Sequence, residues 1–347
     1  MTDPVALTRD LVRIPSESGS EAAAVAHLAG VFQELGWKPE VSGKNLWTML
    51  GDSGPLLLLN SHTDTVPVGE GWTKEPLGGS IEGGRLYGRG ANDAKGCLAA
   101  MVAGAARAFA QGAPRGRVLL AATCEEETSG QGLEALLKEL PKPDAAVIGE
   151  PTGLQPAVAQ KGLLLLEITA RGRSAHAAWG GGDNAVEKAA RDVLALGKLR
   201  FDREHPQLGR PSLAVTQISG GKRHNVIPDL CTTVVDIRTT PGYSSEELTA
   251  AVRAAVEGEV RVRSERLKAR DVDPGHPIVR AALDANPGAK AFGSPTVSDW
   301  VFLNGTPAVK VGPGDSRRSH TPDEYVTTDE LEAGAAFYEK LIRGYLA

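Results

Sequence analysis

The sequence predicts an α/β protein: a domain whose sheet is covered by helices on both faces, split by an inserted α+β unit. Three observations carry this reading. Short apolar runs alternate with helix-length segments toward both ends of the 347-residue chain, the middle third follows the order βαββαβ, and net charge changes sign between the two parts.

The elements follow in order. Residues 55–60, 117–123 and 145–149 are short apolar runs suited to buried strands, and residues 306–311 form another. Residues 95–110 are Ala-rich with one long apolar side and predict a helix. Residues 130–140 predict a shorter helix, and 328–345 an amphipathic helix opened by acidic residues. From Gly162 onward the pattern is strand 163–171, helix 184–199, strand 212–218, strand 230–238, helix 245–256 and strand 259–267. That order predicts a ferredoxin-like unit over 162–270. The α/β domain is then discontinuous, 1–161 and 271–347, with Pro274 and Pro277 marking the return.

Composition narrows the function classes. Charged residues make up 23% and hydrophobic residues 41%, which fits neither a disordered tail nor a fibrous repeat. The net charge of −5 and the lack of a Lys/Arg run disfavour a nucleic-acid partner. Residues 154–270 hold 18 Lys+Arg against 13 Asp+Glu, so that segment is at +5 and the rest at −10. A single-sign field can steer a partner of opposite charge, although solvated surface charge explains the same count. No apolar stretch approaches the roughly 18 residues of a membrane span. The opening Met-Thr-Asp-Pro has no basic n-region, so no secretory signal and a cytoplasmic location are expected. Cys97, Cys124 and Cys231 are odd in number and lack CxxC spacing, which predicts buried free thiols rather than disulfides or a thiolate zinc site.

The polar residues at strand ends carry the chemistry. His62 and Asp64 follow the run 55–60 at its carboxyl end, where open α/β sheets place their sites. A metal-bound histidine commonly hands its other ring N–H to a carboxylate, and Asp64 suits that part. A polar loop explains the pair equally well. The glycines around Asp93 in GRGANDAKG (88–96) permit an unusual backbone that aims it inward, with a helix N-cap as the plain alternative. The segment has no GxxxxGK[ST] and no GxGxxG directly after a strand, so it gives a nucleotide site little support. Glu125, Glu126 and Glu127 repel one another after the run 117–123 unless a cation or solvent neutralises them. Alternation along an extended segment sends Glu125 and Glu126 in different directions, one to ligate and one to act as base. Glu150 and His320 likewise follow predicted strands. Together these side chains supply the oxygen and nitrogen donors of a zinc-type hydrolytic site.

The chain carries SHTDTVP (61–67), GRGANDAKG (88–96), EEE (125–127), GEPT (149–152), SAHAA (174–178), NVIPD (225–229) and SHTPDEYV (319–326). In these motifs it resembles the M20 dinuclear-zinc aminoacylases and carboxypeptidases, from about Leu11 to Tyr345. The resemblance implies a zinc-peptidase-like catalytic domain, a mixed sheet flanked by helices, carrying the inserted unit as a lid and dimerisation domain. It implies two Zn2+, with Co2+ as a possible substitute. His62, Asp93 and Glu150 would hold one ion, Asp93, Glu126 and His320 the other. Glu125 would be the general acid/base and Asp64 the orienter of His62. In the inserted domain His176 would stabilise an oxyanion, and Asn225 and Arg238 would hold a substrate carboxylate.

The activity so implied is hydrolysis of a linear amide by two cations that activate water and polarise the carbonyl. Within the family, the short chain and the segment GDSRRSHTPDE (314–324) resemble most the subgroup that frees lysine, and in some members ornithine, from an acidic amino-group carrier protein. Arg317 and Arg318 beside His320 suit such a partner or are solvated loop charges. The rival readings are a small-molecule deacylase acting on acetylornithine, acetyl-lysine or succinyl-diaminopimelate, a non-catalytic homologue, and a metal-free hydrolase based on Cys124. No GxSxG elbow is present.

Overall fold

A computed structural model describes residues 2–110 and 112–347. It divides into two compact units: residues 1–158, 272–292 and 298–347 form the first, and 159–271 with 293–297 the second.

The first unit is built on a mixed sheet. Its strands lie in the order Glu40–Ser42, Asn45–Leu50, Arg117–Thr123, Leu56–His62, Ala145–Ile148, Ala308–Lys310 and Ala157–Gln160. The middle four run parallel, and antiparallel neighbours flank them on both sides. The strand Leu56–His62 is buried along its whole length, as a parallel strand covered on both faces must be, which accounts for its unbroken apolar run. Registers set His62 beside Thr123, Asn60 beside Ile148, and Ile148 beside Lys310. The four parallel strands thus finish at one edge of the sheet, and the chain leaving their ends carries Asp64, the three glutamates 125–127, Glu150 and His320.

Two helices pack tightly in this unit. Helix Lys95–Ala110 is buried on nearly every side, and its Gly104 touches the closing helix Thr328–Tyr345 so closely that a Cβ there would stand 2.6 Å from Cβ of Tyr338 and 2.8 Å from the carbonyl oxygen of Ala335. The closing helix starts with a capping box, the Thr327 hydroxyl accepting from the amide of Glu330 and the Glu330 carboxylate accepting from that of Thr327. The helix expected over 130–140 is shorter, Gln131–Leu136, and ends in turns. Pro277, read as marking the return of the chain, opens helix Pro277–Ala285, where its missing N–H costs nothing.

In the second unit four antiparallel strands lie in the order Ser212–Gly220, Leu230–Thr239, Gly162–Arg171 and Glu259–Leu267. Helices Ala185–Leu196 and Ser245–Ala255 lie between strands in the chain. Leu164, Leu166, Ile168, Val235 and Ile237 alternate along the two central strands and bury one face against Leu196, Leu248 and Val252 of those helices. All three cysteines are buried free thiols. Among the described residues no helix is long and apolar enough to cross a membrane.

Candidate metal centre

His62 ends its strand with its ring buried. Its Nε2 lies 3.3 Å from Oδ1 of Asp93 and 3.9 Å from Oε1 of Glu150. On the other side Nδ1 sits 3.0 Å from the carbonyl oxygen of Asp64 and 3.4 Å from its Oδ1. Asp64 does more than face the imidazole: its Oδ1 accepts the amide of Glu126, and its Oδ2 accepts the amide of Glu127 and the Ser18 hydroxyl. Burial pushes the Asp64 carboxyl up, but the bonds from His62, Ser18 and the Glu127 amide outweigh it and hold the group at about 2. His62 is pushed down by burial yet carried well above its ordinary value by Asp64 and Asp93.

His320 joins from the loop after strand Ala308–Lys310. Its Nε2 is 3.0 Å from Oε1 of Glu127 and 3.6 Å from Oδ2 of Asp93. Asp93 therefore stands between the two histidines, one carboxylate oxygen toward each. The loop holding it begins the helix Lys95–Ala110, and the peptide Asp93–Ala94 is cis.

The three adjacent glutamates separate differently from the expected pattern. Glu125 is not brought into the cluster: its Oε2 accepts the Ser129 hydroxyl at 2.7 Å and its Oε1 lies 3.8 Å from Nζ of Lys44. The physical cause is the backbone. The segment after Thr123 is a tight turn, not extended chain, with Glu125 at φ 57° and its carbonyl accepting the amides of Ser129 and Gly130. Period-two alternation fails there. The turn instead sends the Glu127 carboxylate to His62, Asp93 and His320, and that of Glu126 to His62 and Glu150. Glu127, absent from the expected ligands, is the residue whose position sequence reasoning missed; the run of three acids was its only signal.

Crowding raises two of these carboxyls. Burial and then Asp93 push Glu150 up to about 8, and burial and then Glu150 push Glu126 well above the carboxylate range. Carboxylates this crowded, interleaved with two imidazole nitrogens, form the hard and borderline donor set that divalent zinc-type cations take. In each of two groups, His62–Asp93–Glu127 and His62–Glu126–Glu150, the donor atoms lie within 4.8 Å of one another. The residues present fit a pair of cations.

The remaining predicted residues belong to the second unit. His176 is exposed and pairs with Val226 in a two-residue ladder; its Nδ1 accepts the Ala178 amide. The carbonyl of Asn225 accepts the Ala177 amide, so these two candidates are neighbours. Arg238 is engaged by Asp236, with Nε and Nη2 at 3.0 and 3.2 Å from its two oxygens.

Residues 58–344 match the family described as Peptidase family M20/M25/M40. The chain belongs to that family. It is 32% identical to a succinyl-diaminopimelate desuccinylase of Gluconobacter oxydans over 99% of this chain and 98% of the relative. It is 31% identical to an acetylornithine deacetylase of Proteus mirabilis over 98% and 96%. Among solved structures it is similar to the aminopeptidase PepT of Bacillus cereus, with TM-score 0.82, 21% identity and coverage of 99% and 98%. The Bacillus subtilis YXEP protein, described as a dinuclear metal binding peptidase, gives TM-score 0.79 at 16% identity over 99% and 97%. This M20 chain is a hydrolase acting on amide bonds.

Proposed function

We propose that this protein is a divalent-cation-dependent amidohydrolase that frees an α-amino acid of the lysine or ornithine type from an N-acylated precursor in cytoplasmic amino-acid biosynthesis. The observation that carries it is the convergence of His62, Asp93, Glu126, Glu127, Glu150 and His320 beyond one edge of the parallel strands. His62, Asp93 and Glu150 would hold one cation, and Asp93, Glu127 and His320 the other, zinc in the first instance with cobalt as a substitute. Bound cations would supply Lewis-acid polarisation of the amide carbonyl and a more acidic water.

The chain's own residues do the rest. Glu126 takes the role first expected of Glu125: its carboxylate lies beside His62 and Glu150, and it accepts a proton and returns it to the departing amine. Asp64 fixes the His62 ring and, by accepting hydrogen bonds from the amides of Glu126 and Glu127, the turn that presents these two residues. His176 is assigned to the oxyanion, Asn225 and Arg238 to the substrate carboxylate. The inserted unit, ferredoxin-like in its strand order, is assigned as lid and homodimer surface; its outer strand Ser212–Gly220 leaves Ile218 54% exposed, and Leu194 of the helix Ala185–Leu196 is 69% exposed.

The relatives support a small acyl group, acetyl or succinyl. A second reading, an amide to the terminal glutamate of an acidic carrier protein, is favoured by the basic second unit, where exposed Lys222, Arg223 and His224 directly precede Asn225. Arg317 and Arg318 add little to it, since Asp315 and Glu330 engage them. Zinc-loaded protein given acetylornithine, acetyl-lysine, succinyl-diaminopimelate and carrier-linked lysine should release free amino acid, and chelation should stop the release. Turnover at least tenfold faster on carrier-linked lysine would select the second reading, and no release from any of the four would refute both.

A further inference from the structure

We infer that Glu324, clamped by Arg89, is a positioning residue that holds Asp93 and His320 in one fixed relation. The inference rests on the proposed metal centre and gives a role there to a residue that lies within the motif SHTPDEYV (319–326) and outside the cluster of candidate ligands.

Glu324 is 1% exposed and Arg89 3%. One oxygen of Glu324 accepts two consecutive backbone amides, those of Asn92 and Asp93, both at 3.0 Å. The other accepts Nη1 of Arg89 at 2.6 Å. Arg89 is anchored in turn, donating from Nη2 to the carbonyl of Val68 at 3.0 Å and lying over the Trp72 ring. Glu324 sits four residues after His320 in the same loop, and its own carbonyl accepts the amide of Gly88. The far end of that loop is tied to the same segment: Asn92 donates from Nδ2 to the carbonyl of Asp315 and the hydroxyl of Ser319, and its Oδ1 accepts the Asp315 amide.

The loops that carry Asp93 and His320 are therefore bonded at several points through side chains of residues 89, 92 and 324. A buried carboxylate close to Asp93 is an expensive way to satisfy two amides, because burial and like charge both oppose its ionisation. What it provides is direction. An acceptor gripping the amides of residues 92 and 93 fixes the backbone from which the Asp93 carboxylate projects, one oxygen toward each histidine. Removing the acceptor frees that backbone, and the donors spread.

Two charge-balanced double variants isolate the acceptor. Arg89→Met with Glu324→Gln removes both charges and keeps an oxygen for the two amides; Arg89→Met with Glu324→Leu removes the oxygen as well. Cobalt binding to each metal-free protein is followed by calorimetric titration, with thermal melting of the same samples as the control for folding. The Gln pair should bind cobalt within about threefold of wild type and the Leu pair about 10- to 100-fold more weakly, the range that loss of a partner supporting a ligand brings. Equal affinities in the two pairs overturn the positioning role. Wild-type protein that binds no cobalt overturns the metal centre itself, a result distinct from equal affinities.

Discussion

Glu125 stands at φ 57°, and the hydrogen bonds its carbonyl receives from the turn hold it there. Through that angle the next two carboxylates, not Glu125, face the histidines. Glu126→Gln should lower kcat about 10²- to 10⁴-fold, the usual contribution of a positioned acid/base, while Glu125→Gln stays within a few-fold of wild type. Steady-state rates on an N-acyl amino acid check this, and the reverse order would return the role to Glu125. His62, Glu150 and His320 could be singled out because each follows a predicted strand, whose end says where a side chain emerges, and Asp93 because glycines surround it just before a helix. The glutamate register was not legible, because a left-handed residue inside a tight turn leaves no period to read. Glu324 was hidden for a related reason: its partners are backbone amides more than 230 residues away in the chain.

At the scale of elements, the buried strands were legible as four- to seven-residue apolar runs, and the helices Lys95–Ala110 and Thr328–Tyr345 from composition and an acidic start. The first two helices, Pro4–Val12 and Ala22–Glu34, were not among the predicted elements. Close approach of helices was also invisible, because a glycine in an Ala-rich run carries no pattern. Gly104→Ala places a methyl against Tyr338 and Ala335 and should cost about 1–3 kcal/mol, as overpacking generally does. Denaturant unfolding measures it; a variant as stable as wild type would show that the two helices can separate freely.

For the whole molecule, the −5 total covers residues 154–270 at +5 and a remainder at −10 that includes the crowded carboxylates. The longer strands and helices between residues 162 and 267 follow the order read from the sequence. The return of residues 293–297 to the second unit was not legible, since five residues carry no periodicity. Crowding makes a pH prediction. In the metal-free protein burial and Asp93 hold Glu150 near 8 and Glu324 near 7, and burial holds Asp299 near 6, so the folded state keeps protons that the unfolded chain releases between about pH 4 and 5. The raised His62 acts in the same direction. Stability of the chelated protein should fall as pH rises from about 5 to 8, and zinc should restore it at pH 8. Melting curves with and without zinc test this, and stability that rises across that window would contradict it.

The most direct measurement is the number of cobalt ions bound per chain at equilibrium in wild type, Glu127→Ala and Glu125→Ala. The expected numbers are two, one and two. Two ions retained by Glu127→Ala, with one lost from Glu125→Ala, would contradict them.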